Sequence, residues 1–315
     1  MTALQSLSAE ALAAKAAAGR ARRLAALAPY ALIIPALAIL LFSLGYPMLW
    51  QLITSTQSFG LAQQFGQPPE FVGFENYVTV FTSAETWAVV LRSVGFCLVN
   101  AALSVVIGVL SALLMSAVGT AARLTLQIAM LVAWAMPVVA AMTVWTWLFD
   151  WRRGAVNWLL TALGFDFTNH NWLAEPLSFY LVATVIVVWM SVPFVAFSVY
   201  AGLTQVSEDV LEAAALDGAS GPRRFFHIIV PMIRPVLMIV LLLQLIWDLR
   251  VFTQIRMLQD AGAPVSSTDL LGTYIYRLGV ASSDFGMASA LSVFVLVLTI
   301  AMSAFYVVQL LKEDS

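Results

Sequence analysis

Asp248 and Arg250 stand inside an otherwise apolar run, Leu241 to Phe252. An Asp or Arg at the centre of a membrane helix costs about 2.5–3.5 kcal/mol on insertion scales, so it normally faces a bundle interior or a wet cavity. Two residues apart on a helix, these two would point about 200° away from each other and pair poorly. Gln244 and Asp248 would share one face, Arg250 and Gln254 the other. Two readings stand side by side. Either each charge is tied to a neighbouring span or Arg250 reaches the outer interface, or else Asp248 lines a passage with Trp247 or Phe252 beside it. A second cluster is Trp189-Met190-Ser191-Val192-Pro193-Phe194. Pro193 frees a backbone carbonyl inside an apolar run, which is tolerated where the carbonyl lines a cavity. Trp189 and Phe194 are more often packing residues than ligands.

Little else in the chain suggests covalent chemistry. His170 and His227 are far apart in sequence, and the acids are scattered. There is no metal-ligand spacing and no phosphate-cradling GxxxxGK[ST] string, so no catalytic residue, cofactor or metal is expected on this chain. A single cysteine, Cys97, excludes an intrachain disulfide and reads as a small buried residue. A net charge of −2 gives no argument for nucleic acid.

The elements that must position these residues follow from composition. Of 315 residues, 62% are hydrophobic and 10% charged, and the mean hydropathy is +0.92. Soluble domains carry roughly 25% charged residues, so this is an integral membrane protein of the all-α class. Six runs are long enough for a hydrocarbon core about 30 Å thick. They cover about 27–50, 93–117, 124–149 (interrupted by Pro137), 177–203, 236–255 and 287–311. Residues 1–26 form an N-terminal segment, 27–311 the membrane domain and 312–315 a short tail. The positive-inside rule fixes the orientation. Lys15, Arg20, Arg22, Arg23, Arg123, Arg223, Arg224, Arg234 and Lys312 fall on one side, against Arg92, Arg152, Arg153, Arg256 and Arg277 on the other. Both termini and the 204–235 loop are therefore expected in the cytosol.

That loop is the least hydrocarbon-like long stretch between two strongly apolar ones. Ser207-Glu208-Asp209 suits a helix N-terminus. Glu212-Ala213-Ala214-Ala215-Leu216 is a run of strong helix formers, Gly218 and Ser220-Gly221 break it, and Pro222 suits the first turn of a second helix. Pro231 and Pro235 punctuate the approach to the next span.

Glu212-Ala213-Ala214, Gly218 six residues after the Glu, then Ile229 and Pro231, resemble the EAA loop of ABC-importer permeases. The string EAAALDGA, which includes Asp217, resembles the carbohydrate branch. Further strings agree: Gly73-x-x-Asn76-Tyr77, Gly154-x-x-Asn157, Asn171-Trp172-Leu173, and Gly262-Ala263-Pro264 with Tyr274-Ile275-Tyr276-Arg277 and Gly286-Met287-Ala288-Ser289-Ala290. Ala263 departs from the family, which usually has a second Gly there, and the turn is expected to differ at that point. The resemblance covers roughly residues 28–311.

It implies a six-span permease whose coupling helix (Glu212, Ala213, Ala214, Asp217, Gly218, with Pro231 beyond) sits in a cleft of an ATPase. The implied partners are a second homologous permease, two ATPase subunits holding ATP and Mg, and an extracytoplasmic substrate-binding protein, all at the cell membrane. The implied substrate is a sugar, with a disaccharide such as trehalose first and polyols, glycerol-phosphate or oligosaccharides as competitors. The substrate path would use Trp189, Phe194, Gln244, Trp247, Asp248, Arg250 and Phe252. The family often has Phe and Asn near Asp248, and Trp-Asp-Leu-Arg departs from that. An integral-membrane transferase is the alternative from another class; it would need acids or histidines grouped at one membrane face.

Overall fold

The computed structural model describes Tyr30, Ala31 and residues 33–313. The expectations for residues 1–26, with Lys15, Arg20, Arg22 and Arg23, and for the last two residues of the tail lie outside that range. Helix α1 (Ile33–Thr54) is the first span. It widens into a π turn over Leu41–Gly45, just ahead of Pro47, whose ring nitrogen has no hydrogen to donate. The 51–88 stretch is more ordered than its Gly and Pro content suggests. Strand β1 (Gln57–Ser58) pairs antiparallel with β2 (Glu70–Phe71), and α2 (Glu75–Thr82) follows.

Helix α3 (Ala84–Ala117) starts nine residues before the run expected at Ser93 and carries Arg92 within it. Its 34 residues span about 51 Å, so it overhangs a hydrocarbon core about 30 Å thick. The third span is broken. Helix α4 (Thr120–Ala135) and helix α5 (Val138–Leu148) meet at 99°. The cause is local: Met136, the residue before Pro137, is forced out of the helical region, to φ −69°, ψ 127°. A short helix α6 (Ala155–Ala162) leads to α7 (Pro176–Leu203), which continues through a buried Pro193.

Helices α8 (Glu208–Leu216) and α9 (Gly221–Arg224) make up the 204–235 loop, followed by a π turn at Phe225–Ile229. The fifth span is also interrupted. Helix α10 (Arg234–Leu249) stops, and α11 (Thr253–Asp260) resumes after a three-residue break. Helices α12 (Leu271–Tyr276) and α13 (Phe285–Glu313) complete the chain.

Helix α3 packs along α7 and α10, and α13 along α1. Where α3 meets α7, a Cβ on Gly108 would sit 2.4 Å from the Val195 side chain, so only a glycine allows that approach. Ala112, Val195, Val199, Ile233 and Val240 form the core at the loop end. Phe96, Met142, Phe179, Ile186, Ile255 and Leu258 belong to the core nearer the opposite end. Arg123, early in α4, bonds the Tyr200 hydroxyl near the end of α7, whereas Phe149 and Trp172 meet near its start. The bent pair therefore runs from one end of the bundle to the other, and counts as one broken span beside five other apolar spans among the described residues.

Candidate functional site: a cavity between two broken spans

The two breaks face each other across a cavity of about 530 Å3. Trp134, Met136 and Val138 line it from the first break, and Trp247, Asp248, Arg250, Phe252, Thr253 and Gln254 from the second. Val187, Met190 and Ser191 of α7 close the side between them. A backbone that leaves helical geometry inside a membrane needs such a lining, because its polar groups have no lipid partner. The volume lies in the about 300–1,000 Å3 range of small-molecule sites.

Of the seven residues expected on the path, Trp247, Asp248, Arg250 and Phe252 line this cavity. Phe194 stands behind them, edge-on to Trp247 at 4.9 Å and tilted toward Trp134 at 6.3 Å. Trp189 packs edge-on against Trp145 at 5.5 Å. Gln244 is fully buried, one turn below Asp248.

The expectation that Arg250 and Gln254 share a face opposite Asp248 is corrected. It presupposed a continuous helix, whereas α10 ends at Leu249 and Arg250 has left it at φ −104°, ψ 12°. Asp248, Arg250 and Gln254 consequently line one cavity, and no ion pair joins Asp248 to Arg250. Asp248 is 3% exposed, and its Oδ2 has no hydrogen-bond partner. Both polar atoms of Gln244 are likewise unpartnered, as are Asn100 Oδ1 and Ser104 Oγ of α3. The Cys97 thiol donates to the Leu245 carbonyl, which places this face of α3 against α10. The contributions of Trp134 and Met136 were missed from sequence, whereas Ser191 belongs to the Trp189–Phe194 cluster named above. Pro137 was the available signal, since a proline break exposes its neighbours on both sides.

At the loop end, the Glu212-to-Gly218 spacing has a structural reason. The Ala219 N–H bonds the Ala214 carbonyl at 3.0 Å, and the Gly218 N–H bonds the Ala215 carbonyl at 3.1 Å. This is a Schellman termination with Gly218 at its left-handed position, φ +78°. Ser207 occupies the N-cap but makes no side-chain capping bond, so the acids of the first turn, Glu208 and Asp209, are left to meet the dipole. Ala214 is buried, while Glu212, Ala213, Asp217 and Gly218 are exposed. Glu212 sits in the second turn of α8. The Val230 N–H bonds the Phe225 carbonyl in π pairing, and Pro231, next in line, has no N–H to continue the ladder.

At the opposite end, the motif strings lock onto one another. Asn76 Nδ2 donates to the Ser55 and Gln57 carbonyls at 3.0 and 2.9 Å. Gly286 lies against the same turn, where a Cβ would come within 2.4 Å of the Gln57 carbonyl oxygen. Asn157 donates to the Trp151 and His170 carbonyls and accepts from the Trp172 indole. Arg277 Nε bonds the fully buried Asp269 at 2.7 Å, and its other arm reaches Glu85. Gln259 donates to the second oxygen of Asp269 at 3.0 Å. Burial alone would lower the Arg277 pKa; the hydrogen bonds and charges of Glu85 and Asp269 outweigh it and leave it raised. In the Gly262-Ala263-Pro264 turn the positive φ (+117°) falls on Gly262 and not on Ala263.

Comparison with known proteins agrees with this architecture. Residues 104–310 match the family model described as "binding-protein-dependent transport system inner membrane component". The diacetylchitobiose uptake system permease protein DasB of Streptomyces coelicolor is 39% identical over 93% of this chain and 90% of its own length. The trehalose/maltose transport system permease protein MalF of Thermococcus litoralis is 32% identical over 88% of this chain and 91% of its own. A bacterial alginate ABC transporter, solved with an alginate pentasaccharide-bound periplasmic protein, shares the fold. Its TM-score is 0.75 at 22% identity, covering 88% of this chain and 91% of that one. The chain belongs to the family of binding-protein-dependent transport system inner membrane components, and is a multi-pass membrane protein of that family.

Proposed function

We propose that this chain is the permease subunit of an ATP-driven importer of a disaccharide-sized sugar, and that the cavity at the two span breaks is part of the sugar's path. The cavity lining carries the proposal. Trp134, Trp247 and Phe252 offer flat apolar faces to sugar rings, while Asp248, Arg250, Ser191 and Gln254 offer hydrogen-bonding groups to hydroxyls. Two relatives whose names specify disaccharides, one diacetylchitobiose and one trehalose/maltose, support the size class. Trehalose and diacetylchitobiose are the two candidates within it. Family membership favours transport over a membrane transferase.

In this reading α8 seats in a cleft of an ATPase, with Glu212, Ala213, Ala214, Asp217 and Gly218 at the contact and Pro231 setting the return to the membrane. Two ATPase subunits hold ATP and Mg, a second permease chain completes the pore, and an extracytoplasmic binding protein delivers the sugar. Closure of the ATPase pair moves the spans as rigid bodies between inward- and outward-facing states.

Uptake of labelled diacetylchitobiose and trehalose by cells lacking this chain, with and without its restoration, tests the proposal. Uptake of one of them should depend on the chain; dependence of neither would overturn the disaccharide assignment. The orientation has its own test. A reporter active only in the cytosol should work after Gly221 and fail after Gln67 or Asn169, and the reverse pattern would put α8 out of an ATPase's reach.

A further inference from the structure

Between the loop-end half of α3 and the α8–α9 loop lies a groove of about 510 Å3. Leu110 and Leu113 of α3 form one wall, and Leu211, Phe225 and Phe226 belong to the other. Arg224 is the one charged residue lining it among the described residues. The groove is continuous with an apolar stripe on α3. Leu103, Val106, Ile107, Leu110 and Leu114 recur at helical spacing and are 40–60% exposed. A stripe of that kind on a membrane span faces hydrocarbon. The apolar run of α3 ends at Ala117, six residues before Arg123, so its last turns, and with them the groove, lie at the level where lipid tails give way to headgroups. Arg224 is half-buried at this boundary, with Arg223 exposed beside it. Neither guanidinium has an ion pair or hydrogen bond within the described chain. The acids of α8 do not line the groove; Leu211 is the residue through which that helix reaches it.

We propose that this groove binds an anionic phospholipid, its acyl chain against Leu110, Leu113 and Phe226 and its phosphate on Arg224 and Arg223. Charge complementarity and continuity with the lipid-facing stripe favour a lipid over a protein segment. Basic pockets between helices on the cytoplasmic side are suited to anionic headgroups. The lipid would bridge α3 and the helix that carries Glu212, so the loop's position would depend on membrane composition.

The test is native mass spectrometry of the complex purified from membranes with the subunits that accompany this chain, after exposure to equimolar phosphatidylglycerol and phosphatidylcholine. Wild type should retain one phosphatidylglycerol with about tenfold preference over phosphatidylcholine, the excess coming from the two basic side chains. Replacing both arginines, Arg223→Gln with Arg224→Gln, should abolish the preference but not all retention. Leu113→Trp, which fills the groove, should reduce retention of both lipids. Thermal melting confirms that each variant is folded. Equal retention by wild type, or a preference unchanged in the double variant, would overturn the proposal. So would release of the lipid by millimolar inorganic phosphate, which would mark a free-anion site. Absence of lipid from the complex but not from the chain stripped of its partners would assign the groove to a protein partner instead.

Discussion

The Trp172 indole N–H donates to the side-chain carbonyl of Asn157 across 2.6 Å, joining two sequence motifs that lie fifteen residues apart. The same amide also holds the Trp151 and His170 carbonyls, so one side chain closes the 150–176 loop. Asn157→Leu would leave three polar groups without their partner, and an unsatisfied buried group costs about 1–3 kcal/mol. The expected outcome is a loss of about 2 kcal/mol in stability, read by thermal unfolding in detergent. An unchanged melting temperature would show that the clasp is dispensable.

Arg277 neutralises Asp269, whose side chain is fully buried. Removing one partner of a buried pair costs about 3–5 kcal/mol, whereas replacing both with apolar groups is far less damaging. Arg277→Met should therefore lower stability strongly, and adding Asp269→Leu should restore part of it. A double variant worse than the single one would refute this account.

Gly218 has φ +78° and nothing within 4 Å of where its Cβ would stand. Gly218→Ala should cost only the left-handed backbone penalty, about 1 kcal/mol. Gly218→Pro cannot adopt that φ and should misplace α9, with loss of assembly. Co-purification of the ATPase subunits checks both; equal behaviour of the two variants would remove the conformational explanation.

Asp248→Asn keeps shape and removes charge. A hydrogen bond to a charged group is worth about 1.5–3 kcal/mol, so uptake should fall about tenfold or more with assembly intact. Failure to fold with normal uptake by the surviving fraction would make Asp248 a structural residue.

Glu212 is exposed in the second turn of α8, where the helix dipole's effect of about 0.3–1 kcal/mol fades. Its charge is therefore available to a partner. Glu212→Gln should leave the chain in the membrane while weakening ATPase association and binding-protein-stimulated hydrolysis. So should moving the acid one turn along the helix. Wild-type hydrolysis in both variants would reduce α8 to a scaffold.

The sequence by itself determined the class, the span order and the position of the loop helix, because these rest on local rules. Apolar runs must cross hydrocarbon as helices, prolines interrupt them, and Glu212 to Gly218 carries its own helix stop. It also pointed to Asp248 and Arg250, since charge in an apolar run is conspicuous. Only the tertiary structure decided where those charges go. A 3.6-residue period extrapolated through Arg250 set it opposite Asp248, but the helix stops at Leu249 and turns both toward one cavity. The 99° bend at Pro137 brings Trp134 to that cavity from a span more than a hundred residues earlier, a proximity that no local pattern encodes. The motif residues Asn76, Asn157 and Arg277 became intelligible for the same reason: their partners are backbone carbonyls and a buried acid brought near by the fold.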